Sequence, residues 1–161
     1  MFLKLAVEIL VLCTVFIGMI LAFVVKDRKG GLHWYPKAVQ QEAVVRGLVS
    51  EQYIAKQRKV SKIIGLPIIA VIVLGSVFYI NRVQGWWNAF WQIYLMLFIL
   101  NFVDAVFVDW IWVRKTKYWI IPELSDLKIE KTLEYLIKES VIAALIYIPA
   151  AALTGCIAFF L

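Results

Sequence analysis

The sequence predicts an all-α polytopic membrane protein, with four transmembrane helices in a bundle and amphipathic helices on the cytoplasmic side. Three observations lead there. First, 63% of the 161 residues are hydrophobic and only 17% are charged, with a mean hydropathy of +0.85. A soluble domain runs at about half apolar and about a quarter charged, and a core this small cannot hide so much apolar surface from water. Second, the apolar residues fall into four runs. Third, almost every lysine and arginine lies in two of the three connections between those runs.

The first run covers about residues 2–25 and is interrupted only by Lys4 and Glu8. It exceeds a signal-peptide core and no small-residue cleavage site follows, so it is expected to remain as an anchor. The connection 26–62 reads as two basic helices. Pro36 suits a first helical position, with Ala38, Val39, Ala43, Val45 and Val49 as a loose apolar stripe behind it. Ser50 reads as the N-cap of the next helix, with Glu51 in its first turn. That helix runs through Tyr53 and Ile54 into the second span, 63–80.

Residues 81–85 form a tight turn. The third span, 86–112, is longer than the ~20 residues a bilayer needs and should tilt or project. In the connection 113–140, Ser125 is expected to cap a surface helix with Ile129, Leu133, Leu136 and Ile137 on one face. The fourth span follows at 141–161, with a kink expected at Pro149. Its Ala151-x3-Gly155 offers a small-residue face for close helix packing. The runs are continuous and lack the alternation of barrel strands, and only helices satisfy an open chain's backbone in lipid. Residues 1–161 therefore read as one membrane domain without internal repeats.

Orientation follows from the basic residues. Nine fall in 26–62 and six in 113–140, leaving only Lys4 and Arg82. Four spans put both rich connections on one side, and the positive-inside rule makes that side cytoplasmic. The expected location is the cell membrane, with both termini extracytoplasmic. Tryptophans at 86, 87 and 91 and at 110, 112 and 119, with Tyr118, mark the two boundaries. The net charge of +6 sits beside apolar runs, which points to anionic lipid head groups and away from nucleic acid. A second copy or a protein partner is the other expected contact. Cys13 and Cys156 lie in apolar runs and act there as small hydrophobes.

Ionisable groups inside a span are costly and are candidate functional residues. Asp104 and Asp109 qualify, joined by Asn101 in the pattern Asn101-x2-Asp104-x4-Asp109. On a straight α-helix Asp104 and Asp109 diverge by about 140°, which opposes shared chelation unless His33 or Glu123 joins from the loops. The bland reading has Asn101 and Asp104 joining helices and Asp109 pairing with Arg114 or a loop lysine. His33 is a candidate base or ligand. Glu8 lies near the opposite boundary and is expected to pair with Lys4 or Arg82. One histidine cannot build a zinc site of ordinary ligand count, and no nucleotide-loop, nucleophile or dinucleotide motif appears. No cofactor and no metal are expected.

Residues 101–127, NFVDAVFVDWIWVRKTKYWIIPELSDL, with His33-x2-Pro36 and Val39-Gln40, resemble a group of small, uncharacterised four-span bacterial membrane proteins. The resemblance covers about half of the chain through short motifs. It implies an Asn-x2-Asp-x4-Asp-Trp pattern and an Ile-Pro-x-Glu turn, from which this chain departs because Glu123 follows Pro122 directly. It marks Asn101, Asp104, Asp109 and Pro122 and implies no reaction.

Three functions stand open from the sequence: a non-enzymatic membrane component, an enzyme acting on lipid or isoprenoid head groups at the cytoplasmic interface, and an oligomeric small transporter. The orientation is directly testable. A reporter active only in the cytoplasm should be silent when fused after Leu161, and strong activity would invert the topology.

Overall fold

The computed structural model describes residues 2–26, 28–116, 119–127 and 131–159. Among these there is no strand. Helix α1 spans Phe2–Lys26 and is followed by a 3₁₀ turn, Arg28–Trp34, and a short helix α2, Lys37–Val45. Helix α3, Glu51–Leu74, widens into a π-helix over Gly75–Ile80. Helix α4, Trp86–Val103, widens likewise over Asp104–Trp112 and ends in one α-turn, Val113–Lys115. A 3₁₀ turn at Pro122–Leu124 leads toward helix α5, Leu133–Gly155, which tightens over Cys156–Phe159. Four stretches are long and apolar enough to cross a membrane: Leu3–Ala22, Glu51–Ile80, Trp86–Trp112 and Leu133–Ala158.

Local chemistry explains the helix ends. The Ser50 hydroxyl accepts a hydrogen bond from the Tyr53 amide at 3.1 Å, and Glu51 sits in the first turn. This satisfies an otherwise orphaned amide and places negative charge at the positive end of the helix dipole. The resulting 30-residue stretch is about 45 Å long at 1.5 Å per residue, longer than the ~30 Å thickness of a bilayer's hydrocarbon layer. α2 ends at Gly47, whose φ is +68°. The Gly47 amide bonds Val44 O and the Leu48 amide bonds Ala43 O, a Schellman closure that needs the left-handed residue.

α5 differs from the sequence expectation. Thr132, not Ser125, is its N-cap and accepts from the Tyr135 amide at 3.3 Å, with Glu134 in the first turn. Ser125 instead closes the Pro122 turn, donating its amide to Pro122 O. Proline has set φ for a turn there. Leu133, Leu136 and Ile137 belong to α5, which runs on without interruption through Ser140 and Pro149. The Lys128 and Ile129 positions of the expected surface helix lie outside the described residues. In α2, Val39 and Ala43 are buried while Ala38 and Val45 are exposed, so only part of the proposed stripe packs inward.

Two cores result. One lies between α1, α3, α4 and α5, with Leu12, Val77, Ala89, Ile93, Met96 and Ala151 fully or nearly fully buried. The most extensive helix contact is α4 with α5. There the Trp86 indole donates to Ala152 O at 3.0 Å, and a Cβ on Gly155 would stand 3.4 Å from the Phe90 amide nitrogen. The second core joins Ile20 and Val24 of α1 and Val108 of α4 to Leu32, Tyr35, Val39, Ala43, Trp119, Ile121 and Leu124 of the connecting segments. These segments form a packed cap over one end of the helices. Tyr35 donates its hydroxyl to Trp119 O, while Arg46 clasps Asp126 through two bonds of 2.8 and 2.6 Å and donates to Glu123 O.

The α4–α5 contact sets a size limit. Gly155→Ala should be close to neutral, because its Cβ meets only ordinary contacts. Gly155→Leu should cost about 1–3 kcal/mol by overpacking, read as a lower thermal midpoint in detergent.

Candidate functional site

The site begins with the change of pitch in α4. A π-helix closes i→i+5 hydrogen bonds, so at about 4.4 residues per turn fifth neighbours return to within roughly 50° of each other. Asp104 and Asp109, both within the π segment Asp104–Trp112, therefore share a face. This corrects the α-helical expectation of wide divergence. Both line a cavity of ≈ 240 Å³ together with Phe16, Met19 and Ile20 of α1, Ser61, Lys62, Gly65, Leu66 and Ile69 of α3, and the cap residues Trp34 and Trp119. Lys131, just before α5, completes the polar part.

The two carboxylates have different surroundings. Asp109 is held by Lys131 at 2.8 Å, and both side chains are only 17% exposed. Lys131 also reaches Glu139 at 3.2 Å. Burial alone would pull the Lys131 ammonium pKa down, but Asp109 and Glu139 outweigh it and leave it above the ordinary lysine value. Asp104 receives no hydrogen bond or salt bridge from the described residues, and its oxygens keep open surface where they line the cavity. It is half-buried and faces space, not a helix partner as the bland reading had it. Asn101 donates a long 3.4 Å bond to Ser140 O on α5 and does not line the cavity. The Arg114 side chain lies outside the described residues.

His33 is placed elsewhere. It is buried in the cap, where Nδ1 donates to Gly30 O at 2.9 Å and Nε2 has no partner. Burial, with a smaller contribution from Arg58, holds its pKa below the usual histidine value against the opposing Gly30 bond. Glu123 pairs with Lys29 at 3.4 Å. Neither lines the Asp104 cavity, and among the described residues no three His, Cys, Asp or Glu side chains are placed to hold a metal ion.

Glu8 is also partnered differently from the expectation. Lys4 donates to Ile80 O at 2.8 Å, while Glu8 accepts from the Asn81 amide at 2.8 Å. Asn81 also approaches Gln92 Oε1 at 3.3 Å. Gln92, only 4% exposed, is with Asn88 one of two amides in the first half of an apolar run, a polar interruption visible in the sequence. Glu8 lines a second cavity of ≈ 700 Å³ between α1 and the far end of α3.

Lys131→Met would leave Asp109 and Glu139 without their shared cation. Removing one partner of a buried pair costs about 3–5 kcal/mol, and the open cavity puts the expectation near the lower end. Asp104→Asn removes a charge that has no ion pair among the described residues, so its thermal midpoint should equal or exceed that of the parent. A midpoint for Asp104→Asn below that of Lys131→Met would reverse these roles.

Compared with protein-family models, with curated proteins and with solved structures, the chain gives no match.

Proposed function

We propose that the chain is a multi-pass protein of the cell membrane, a four-helix bundle with both termini extracytoplasmic, that holds an amphiphilic ligand at the cytoplasmic interface as a non-enzymatic membrane component. The observation that carries the binding reading is the open carboxylate of Asp104 in a cavity walled by apolar side chains and two indoles. Ligand sites are mostly apolar concavities with a few convergent polar groups, and unpaired ionisable groups at membrane depth are functional candidates.

Several features support the setting. Leu10, Ile63, Leu66, Val71, Phe102, Leu145 and Leu153 are large, apolar and exposed on the four long helices, which suits lipid and not water. The cavity lies on the side of the basic connections, at the level of Trp34 and Trp119. The partly buried α2 and the projecting turns of α3 suit an amphipathic cytoplasmic face. The enzyme reading has less support, because His33 and Glu123 do not join the aspartates.

One observation favours the transporter as a second reading. The Glu8 cavity and the Asp104 cavity lie at opposite ends of the same α1–α3 seam.

Filling the cavity tests binding. No atom lies within 4 Å of where a Gly65 Cβ would stand, so Gly65→Phe should fold. Native mass spectrometry of protein released from lipid nanodiscs should show a bound amphiphile on the parent and lose it in Gly65→Phe. Equal retention by both would place the ligand elsewhere and end this reading.

A further inference from the structure

We infer that the cavity takes the zwitterionic head group of a phospholipid, with its ammonium at Asp104 and its phosphate at Lys62 and Ser61. This rests on the binding reading above and names its ligand class. Around Asp104 the pairing is unequal: Asp109 and Glu139 already share the ammonium of Lys131, while Asp104 has no ion pair among the described residues. A cationic group completes that pairing, and Asp104 is the carboxylate still open to accept its hydrogen bonds.

The same cavity also has an anion-binding side. Ser61 and Lys62 are adjacent on α3, and Lys62 is exposed and enters no salt bridge with a described residue. A hydroxyl and an ammonium lining one cavity suit phosphate oxygens. Trp119 is only 4% exposed, and its indole N–H has no acceptor although the side chain borders the cavity. It is an unsatisfied buried donor in a side chain of the cavity wall.

Simpler ligands fit less of the site. An anionic lipid could meet Lys62 but would leave the open Asp104 carboxylate without a cation. A lone organic cation would leave Lys62, Ser61 and the Trp119 N–H unmatched. A divalent cation lacks a third carboxylate or histidine among the described residues. The ≈ 240 Å³ volume suits a head group and not a whole lipid. Leu66 lines the cavity and is 63% exposed on the outer face of α3, giving the acyl chains an apolar exit into the bilayer.

The full-length protein is reconstituted in nanodiscs of phosphatidylethanolamine and phosphatidylglycerol in equal amounts with matched acyl chains. Lipids retained after gentle release are counted by native mass spectrometry. The expectation is one phosphatidylethanolamine held in preference to phosphatidylglycerol. Loss of one charge-assisted contact in Asp104→Asn or in Lys62→Gln should lower that retention by about tenfold or more, with thermal midpoints no lower than the parent's as the folding control. Soluble glycerophosphoethanolamine should not displace the lipid; displacement at equal concentration would assign the site to a free head group and overturn the lipid source. If both lipids are retained equally and Gly65→Phe removes both, the cavity reading stands and the zwitterion assignment falls. If Gly65→Phe changes nothing, both fall.

Discussion

A carboxylate withdrawn from water is stable as an anion only beside a cation or several donors, and Asp109 meets that condition through Lys131. The pair ties the last turns of α4 to the residues leading into α5. Lys131 then reaches forward to Glu139 within α5, so the chain is held on both sides of the Thr132 cap. The α4–α5 contact, where Ala151 and Gly155 sit against α4, continues from that start. With Lys131 committed to two acids, Asp104 is left facing the cavity without an ion pair among the described residues. The same interaction therefore fixes the helix pair and defines which carboxylate remains open.

Asp104 and Asp109 were legible because charge interrupts an otherwise apolar run, and that cost is visible without a structure. Their relation was not legible. Residues 104–112, DAVFVDWIW, contain neither glycine nor proline, and nothing in that string distinguishes an i→i+4 ladder from an i→i+5 one. Assuming the commoner pitch turned Asp109 away from Asp104. Ser50 could be read because the hydroxyl, the acidic first turn and the apolar run agree. Ser125 offered the same signal as Thr132, and Pro122 diverted it into a turn. The Glu8–Asn81 bond joins residues 73 positions apart; a helix-spacing argument reaches only three or four, which is why Lys4 looked like the better partner.

The cap explains why a site forms at this end. Gln40 donates to Tyr35 O at 2.7 Å and accepts from Arg58 of α3 at 2.9 Å, while Tyr35 reaches Trp119 O. These bonds tie α2, the basic part of α3 and the segment after α4 into one unit, which sets both tryptophans at the cavity. At the other end the polar links are fewer: Asn81 is shared between Glu8 and Gln92, Lys4 reaches Ile80 O and Trp86 reaches Ala152 O, while Glu8 Oε1 is buried with no partner.

Packing divides the four long helices into a filled half and an open half. On α5, Gly155 has the Phe90 backbone and Trp86 at 3.4 Å from an added Cβ, and Ala151 is fully buried. Here small residues do what they commonly do between membrane helices, letting backbones approach so that dispersion contacts replace the missing hydrophobic drive. On α3, Gly65 and Gly75 have no atom within 4 Å, and each lines one of the two cavities along the α1–α3 seam. Small residues without close neighbours forfeit contacts on both helices. Leu12 and Val73 hold the seam shut between the cavities, so the loss is confined to the two places where carboxylates stand. An occupant of the kind proposed, with apolar chains and a charged head, would restore contacts along α1 and α3 and meet the open carboxylate of Asp104 together.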